Sequence, residues 1–572
     1  MERTTGKKPF FEPLKYRIYN HLLLSDETLF THPSPDHGIA VHHFSFYFGI
    51  ILNTPVMKPF LLLFALSQFI VITLFAQAGT LDADFGSGGL VKTSFGPDDN
   101  GICVAIAPNQ KIIAGGMTYD STGKTVFAIT CMLPNGQPDR NFGRSGKITY
   151  GFGIDCPFGV KTIAVQPDGY IIAAGTLILY DAGNTPVAQI IRFTPTGDID
   201  PAFHGGGPLL ISYFEPSSIA LQTNGKIVIG ASYKGNMGVL RVNSDGTLDT
   251  DFGTSGHVLI TGDAKNGGET TSVLVQPDGK IVWAGAYDYW DLMVARCNNR
   301  GVLDANFGAG GVARITVNTN ELCSINAIAL DSRNRIITAG GHYSESANKD
   351  EILICALKSN GVLDNSFAGN GKMNVSITDL CSAKGVAVQS NDQIVAVGMS
   401  WHHQQHKWIL CRANNDGTLD TNFGSGGKVT TVWPDDFDAA YGVAIQADGK
   451  IVVEGYAGYA FGTARYIAKS LKSVIFGDAM PVQSTSVTSS LDATGLTISP
   501  NPAQAQLTIH GLNPSGQTII SVKDAIGRDV LTTKTTAQSE YTLDIHALPP
   551  GTYFLQLSDG KKRQTKTFQK MH

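Results

Sequence analysis

Residues 79–86, Gly-Thr-Leu-Asp-Ala-Asp-Phe-Gly, open a pattern that returns six more times, and no other property of the chain limits its fold so tightly. The returns begin at Gly136, Gly197, Gly246, Gly301, Gly361 and Gly417, at steps of 57, 61, 49, 55, 60 and 56 residues. A period of that size, with several strands in each unit, belongs to a solenoid, an array or a propeller. Asp82, Asp139, Asp200, Asp249, Asp304, Asp364 and Asp420 hold one position in all copies; Phe85, Phe142, Phe203, Phe252, Phe307, Phe367 and Phe423 hold another, each with a glycine four residues on. A short polar side chain that bonds its own backbone, a ring and a permissive glycine describe a tight connection pinned into a core.

Strand-like stretches follow each opening. In the fourth copy they are His257 to Thr261, Ser272 to Gln276, Lys280 to Ala284 and Leu292 to Cys297, the middle two joined by Pro277-Asp278-Gly279. Asp-Gly between apolar runs signals a hairpin, because a type I′ turn needs positive φ at both central residues. Four strands in each of seven copies predict an all-β fold, a seven-bladed β-propeller; a linear β-solenoid usually has shorter coils. The opening, followed by Gln-Pro-Asp-Gly-Lys-Ile-Val-x-x-Gly, resembles the delta-60 repeat family of bacterial β-propellers. That resemblance covers nearly all of residues 79–475 and implies the fold while transferring no catalytic residue.

Composition narrows the partners. The 42% hydrophobic content and 64 glycines suit a turn-rich β protein, and the net charge of −5 gives no electrostatic reason to expect nucleic acid. Eight cysteines without Cys-x-x-Cys spacing remove the usual zinc and thioredoxin signals. They are expected to be mostly buried free thiols, since those before the second strand and those in the fourth are separated by the third.

The ends predict where the protein goes. Met57-Lys58-Pro59, an apolar run from Phe60 to Phe75 and Ala76-Gln77-Ala78 read as a signal peptide over 57–76, too short for a membrane span, so no span is expected in the mature form. Residues 1–56 carry no repeat and read as an extension ahead of the true start at Met57, the alternative being an uncleaved signal anchor. A Ser/Thr/Val-rich linker over 476–494 separates the repeats from a different module at 495–572. Alternation at Gln506 to His510, Ile519 to Lys523 and Thr552 to Leu557 predicts a small β-sandwich there. Its blocks are Pro500-Asn501-Pro502, then Gly527-Arg528, then Gly551-Thr-Tyr553 and a basic tail. In that order they resemble the type A sorting domain of type IX secretion substrates. The resemblance implies export to the outer cell surface or medium by the type IX machinery of Bacteroidetes-type bacteria.

Function is sought where the copies differ. The Asp-Gly hairpins and the Asp-Phe connections, read as the links between blades, share one face and serve folding; the other loops share the opposite face, and variable loops on a rigid scaffold are where binding usually lives. Tyr287, Trp290, Trp401 and Trp433, with the carboxylates Asp435 and Asp436, are the candidate ligand-binding residues, suited to stacking on sugar rings or anchoring a partner protein. Tyr119, Tyr180, Tyr233, Tyr343, Trp408, Tyr456 and Tyr459 belong to the same loops. His402, His403 and His406 lack an adjoining carboxylate or Cys at ligand spacing. No metal or cofactor is expected, with calcium at Asp98-Asp99 or Asp435-Asp436 the one exception weighed. No Gly-x-Ser-x-Gly, His-Glu-x-x-His or Walker-type loop is present. The expected function is a secreted or surface-attached noncatalytic module that binds an extracellular glycan or protein. The alternative is an extracellular lyase or hydrolase of a polysaccharide or lactone, which histidines and acidic groups gathered at the axial channel would favour.

Overall fold

The computed structural model describes residues 77–469 except 152–155, 158, 181–182, 262–266, 288–290, 318–321, 345–348, 378–379, 403–404 and 434–437. It also describes 497–570 except 500–504, 511, 513–516, 524–528, 537–538, 549–550 and 559–562. The expected extension, signal peptide and linker lie outside these residues. The described residues fall into two compact units, one in each range.

In the first unit, seven antiparallel four-stranded sheets follow one another as blades. Blade four comprises, from the axis outward, Gly268–Val275, Ile281–Tyr287, Asp291–Cys297 and Val312–Ile315. The other inner strands are Asn100–Ile106, Val160–Val165, Phe214–Leu221, Cys323–Leu330, Leu380–Val388 and Asp438–Ile445. Each touches the next and the last touches the first, so the ring is closed. Closure is made by the chain's two ends. Blade seven takes three strands from Asp438 to Tyr466 and borrows Leu90–Thr93 as its outer edge, with Leu90 opposite Ala464.

This closure corrects the strand grouping expected from the sequence. The short strand after each Asp-Phe connection is the outer strand of the blade before it, so each sequence copy runs one strand out of phase with its blade. The Asp-Phe segments therefore join third and outer strands within a blade, and the links between blades are the loops on the opposite face. The offset lets a backbone ladder, rather than side-chain contact alone, join the first strand to the last.

The repeated residues build one device in five of the seven blades. In blade three the Phe252 amide donates to the Asp249 carbonyl, and Asp249 takes the Nε–H of Arg241 at 2.5 Å and the ammonium of Lys226 at 2.7 Å. The Arg241 guanidinium lies 4.3 Å from the centre of the Phe252 ring and also donates to the Asn299 carbonyl of blade four. Arg192, Arg296, Arg412 and Arg465 repeat the arrangement on Asp200, Asp304, Asp420 and Asp82, and Arg465 reaches the Pro134 carbonyl across the closure. In these five blades the aspartate holds an arginine flat on the wedge ring and aims it at the next blade; in blade five Arg335, just ahead of the second strand, takes the place on Asp364, and in blade one Asp139 pairs with Lys111 instead. All seven phenylalanines are buried. Gly136 packs its bare α-carbon on the Phe85 ring at φ 85°, where a Cβ would come within 2.9 Å of it.

The closure also carries a residue no other blade has. Glu454 occupies the place held by Gly115, Ala174, Gly230, Ala284, Ala339 and Val397 elsewhere. It is fully buried; Oε2 accepts from the Thr463 hydroxyl at 2.6 Å, and Oε1 has no hydrogen-bond partner among the described residues. Gly101 of blade one leaves it room, since a Cβ there would stand 2.3 Å from Oε1. Burial pushes this carboxyl well above the usual range, and the thiol of neighbouring Cys103 is raised by burial and then by Glu454.

All eight cysteines are free thiols, seven buried and Cys103 half-buried. Burial holds Cys297, Cys355 and Cys411 up at about 12.

The second unit packs a sheet of Thr497–Ser499, Gln506–His510 and Glu540–Asp544 with one of Asp529–Thr536, Gln517–Lys523, Gly551–Ser558 and Arg563–Lys570. Leu507, Ile509, Ile520, Val522, Leu543, Leu555 and Phe568 fill its core. Tyr553 is buried and stacks on Phe568 with ring centres 5.6 Å apart, while Gly551 opens its strand opposite Lys570. Pro500, Asn501, Pro502, Gly527 and Arg528 lie outside the described residues. Among the described residues no helix is long and apolar enough to cross a membrane.

Candidate functional site at the propeller axis

The inner strands share an irregularity that the repeat conceals. Each contains a β-bulge at the same place, and the extra residues are Ile102, Lys161, Ser217, Thr271, Asn326, Lys384 and Tyr441. A bulge leaves one residue out of the ladder and re-aims its side chain, which is why bulges gather at barrel rims and active sites. The cause lies partly in the neighbouring strand. Opposite the bulge six blades have glycine, and a Cβ on Gly285 would lie 1.8 Å from the Glu269 carbonyl oxygen that the bulge pushes across. Blade three is the exception and pairs Ala231 with Pro216, which has no N–H to offer the ladder.

All seven bulge residues line one cavity on the axis, of about 850 Å³. Three of them are tied down by hydrogen bonds, two of which lace neighbouring blades. The Ser217 hydroxyl donates to Gly230 of its own blade at 3.1 Å, Thr271 to the Ile325 carbonyl of blade five at 2.7 Å, and the Asn326 amide to the Ala383 carbonyl of blade six at 2.7 Å. The others put different chemistry on the axis: an ammonium from blade two, another from blade six, a phenol from blade seven and a butyl group from blade one. Two residues before the bulge, blades three and four add Glu215 and Glu269 to the wall.

These charges feel one another. Burial lowers the ammonium of Lys161, opposed by Glu269 and then Glu215; burial lowers that of Lys384, opposed by Glu269. Glu215 is exposed to the channel, yet the surrounding protein withholds enough solvent to raise its carboxyl, and repulsion from Glu269 raises it further. Among the described residues the side chains of Glu215, Glu269 and Lys384 make no hydrogen bond or ion pair.

The loop face is lowest beside blade three. Between Leu209–Ser212 and Phe214–Leu221 the link is Tyr213 alone, at φ 68°, a conformation strained for a non-glycine residue. The cavity spreads there to Ser232 and Gly235, and Lys234 holds its ammonium 4.0 Å from the centre of the Tyr213 ring.

The residues singled out from sequence are dispersed by comparison. Tyr287 and Trp433 are core side chains at 4% and 3% exposure, Trp433 packed on Trp408 with ring centres 5.1 Å apart. Their position near loops suggests surface groups, but the strand ends here are roofed by the neighbouring blade. Trp401 is exposed and leans on His406 at 4.8 Å; His406 does not line the channel. Tyr119, Tyr180 and Tyr459 are exposed as well. Trp290, Asp435 and Asp436 lie outside the described residues. Asp99 is a turn pin, its Oδ2 accepting from the Ser94 hydroxyl and the Phe95 and Gly96 amides, and Asp438 accepts from the Trp433 amide in the same way. Among the described residues no three His, Cys, Asp or Glu side chains gather as a metal-binding group. Sequence reading missed the four charged residues of the channel. The signal for them was the glycine in Lys-Ile-Val-x-x-Gly, which marks the bulge.

Comparison with known proteins agrees with this architecture. Residues 166–203, 222–252, 276–307 and 389–423 match the β-propeller family described as a domain of unknown function (DUF5122), and residues 497–571 match the secretion system C-terminal sorting domain. No curated protein matches the chain. Among solved structures, virginiamycin B lyase from Staphylococcus aureus is 11% identical over 65% of this chain and 98% of its own, with a TM-score of 0.37. The Dos1 propeller is 9% identical over 66% of this chain and 95% of its own, with a TM-score of 0.36. Likeness of that degree carries no argument about activity. With its seven closed blades and its sorting tail, the chain is a repeat β-propeller protein exported by type IX secretion to the cell surface or the medium.

Proposed function

We propose that the exported propeller is a noncatalytic binding module and that its ligand enters the loop-face mouth of the axial channel. One observation carries this reading. In a frame that repeats Asp, Phe, Gly and the hairpin turn seven times, the bulge position alone is both aimed at the axis and different in every blade but two. Residues needed seven times over serve the fold; a position freed from the fold's demands and turned inward is available for recognition. The exposed Trp401, Tyr119, Tyr180 and Tyr459 offer secondary contacts around the loop face, of the kind an extracellular glycan or protein would meet.

The test is an array of glycans and peptides probed with the full mature protein. A Tyr441→Ala variant with an unchanged melting temperature should bind the captured ligand about tenfold more weakly, a loss of about 1.4 kcal/mol. Equal binding by Tyr441→Ala and by Ile102→Lys would remove the channel from the function, and conversion of the ligand to a product would replace binding by catalysis.

A further inference from the structure

The chemical character of that ligand can be read from the order of charges around the axis. Going round the ring, blade two contributes Lys161, blades three and four Glu215 and Glu269, blade five the amide of Asn326, and blade six Lys384. The acidic pair is thus bracketed by ammonium groups on both sides within one cavity. The copies themselves supply the control. At the glutamate position the other blades carry Asn100, Gly159, Ser324, Ser382 and Ala439, and at the bulge they carry Ile, Ser, Thr, Asn or Tyr, so no feature of the fold demands a charge at either place.

Charges in a confined channel are costly unless paired, and a structural role would show as pairing. Glu215 and Glu269 stand on neighbouring blades and repel one another, and among the described residues neither their side chains nor that of Lys384 has an ion-pair or hydrogen-bond partner. All four charged groups nevertheless act on one another through Glu269. A cation between the two carboxylates would relieve their repulsion, and an anion at Lys384 would relieve that ammonium. A ligand with one charge would be attracted by one edge and repelled by the other.

Resting on the reading of the channel as the binding site, we propose that it receives a zwitterion, with a primary ammonium between Glu215 and Glu269 and a carboxylate at Lys384. The hydroxyls of Ser232 and Thr271 and the low rim at Tyr213 leave room for the rest of the molecule on the blade-three side. A volume of about 850 Å³ is that of a small-molecule site. Two sources carry both charges close together, a short peptide or amino acid and an amino-sugar acid.

The full mature protein would be titrated calorimetrically with triglycine for the first source and glucosaminic acid for the second, each also in its N-acetylated and amidated forms. Binding of either zwitterion is expected. N-acetylation should weaken it at least tenfold, as should Glu215→Gln with Glu269→Gln, and the glutamine variants should no longer distinguish acetylated from free ligand. Amidation and Lys384→Gln should behave as a second such pair. Thermal melts of the variants separate loss of fold from loss of charge. Absence of binding by both zwitterions, or binding indifferent to these changes, overturns the proposal. If Tyr441→Ala still weakens binding of an array ligand about tenfold in that case, the channel remains the site and only its charge selectivity is refuted; if it does not, both readings fall.

Discussion

The face bearing the aspartate turns and the axis bearing the bulges are made from the same seven copies under opposite constraints. On the turn face each aspartate, arginine and phenylalanine is committed to two blades at once. Arg241 holds Asp249, covers Phe252 and reaches Asn299, so every change propagates across an interface. On the axis the backbone does the structural work. The ladder runs on either side of the bulge, the glycine opposite makes room for it, and the extra side chain is released. Identity among repeats therefore measures how many partners a position serves, and its absence marks where the ring has freedom to specialise.

The contrast is broken most directly at the wedge. Replacing Phe252 by Ala should cost roughly 3 to 5 kcal/mol, because a fully buried ring between blades leaves a cavity that a closed ring cannot collapse. Denaturant melts measure it, and a loss under about 1 kcal/mol would mean the ring does not hold the blades together. Asp249→Asn comes next. It leaves Arg241 buried beside a neutral group and should cost about 3 kcal/mol by the same measurement, less if Lys226 and water compensate.

A third change reverses the sign. Glutamate in the unfolded chain ionises near 4.5, whereas buried Glu454 keeps its proton well above that value. The folded state binds more protons, so stability falls as pH rises from about 5 until the folded group ionises. Glu454→Gln keeps the shape without the titration. Its melting temperature should exceed the parent's at neutral pH, with a gap that widens as pH rises and closes near pH 4, where the carboxyl is protonated in both states. Parallel curves for the two proteins would show that the closure does not depend on this proton. The smallest effect belongs to the axis. Lys384→Gln should alter stability by no more than about 0.5 kcal/mol, since this ammonium has no partner among the described residues. A loss comparable to that of Asp249→Asn would show that the axis is structural too and erase the contrast.

The sorting tail adds a separate check. Removing residues 497–572 should leave the propeller's own thermal transition intact, because the two units have separate cores, while export across the outer membrane is lost in a type IX-competent host. Fractionation of the cells reads the second outcome and calorimetry the first.

Much of this was legible in the chain. The fixed steps between Gly79 and Gly417, the Asp-Gly turns and the alternation at Gln506 to His510 specify blades, hairpins and sandwich, because each depends on residues near one another in sequence. The buried wedge phenylalanines and the free thiols followed from the same local reasoning. The arginines Arg192, Arg241, Arg296 and Arg412 stand always five residues before the repeat glycine, but their reach to the next blade is a tertiary contact that the repeat does not spell out. The tertiary structure alone decided three things. It placed Leu90–Thr93 on the last blade instead of the first, since pairing of the two chain ends is a contact nearly as long as the ring itself. It buried Tyr287 and Trp433, because whether an aromatic at a strand end meets solvent depends on the blade beside it. And it brought Lys161, Glu215, Glu269 and Lys384 to one cavity, since residues spread over four blades become neighbours only where seven strands converge on an axis.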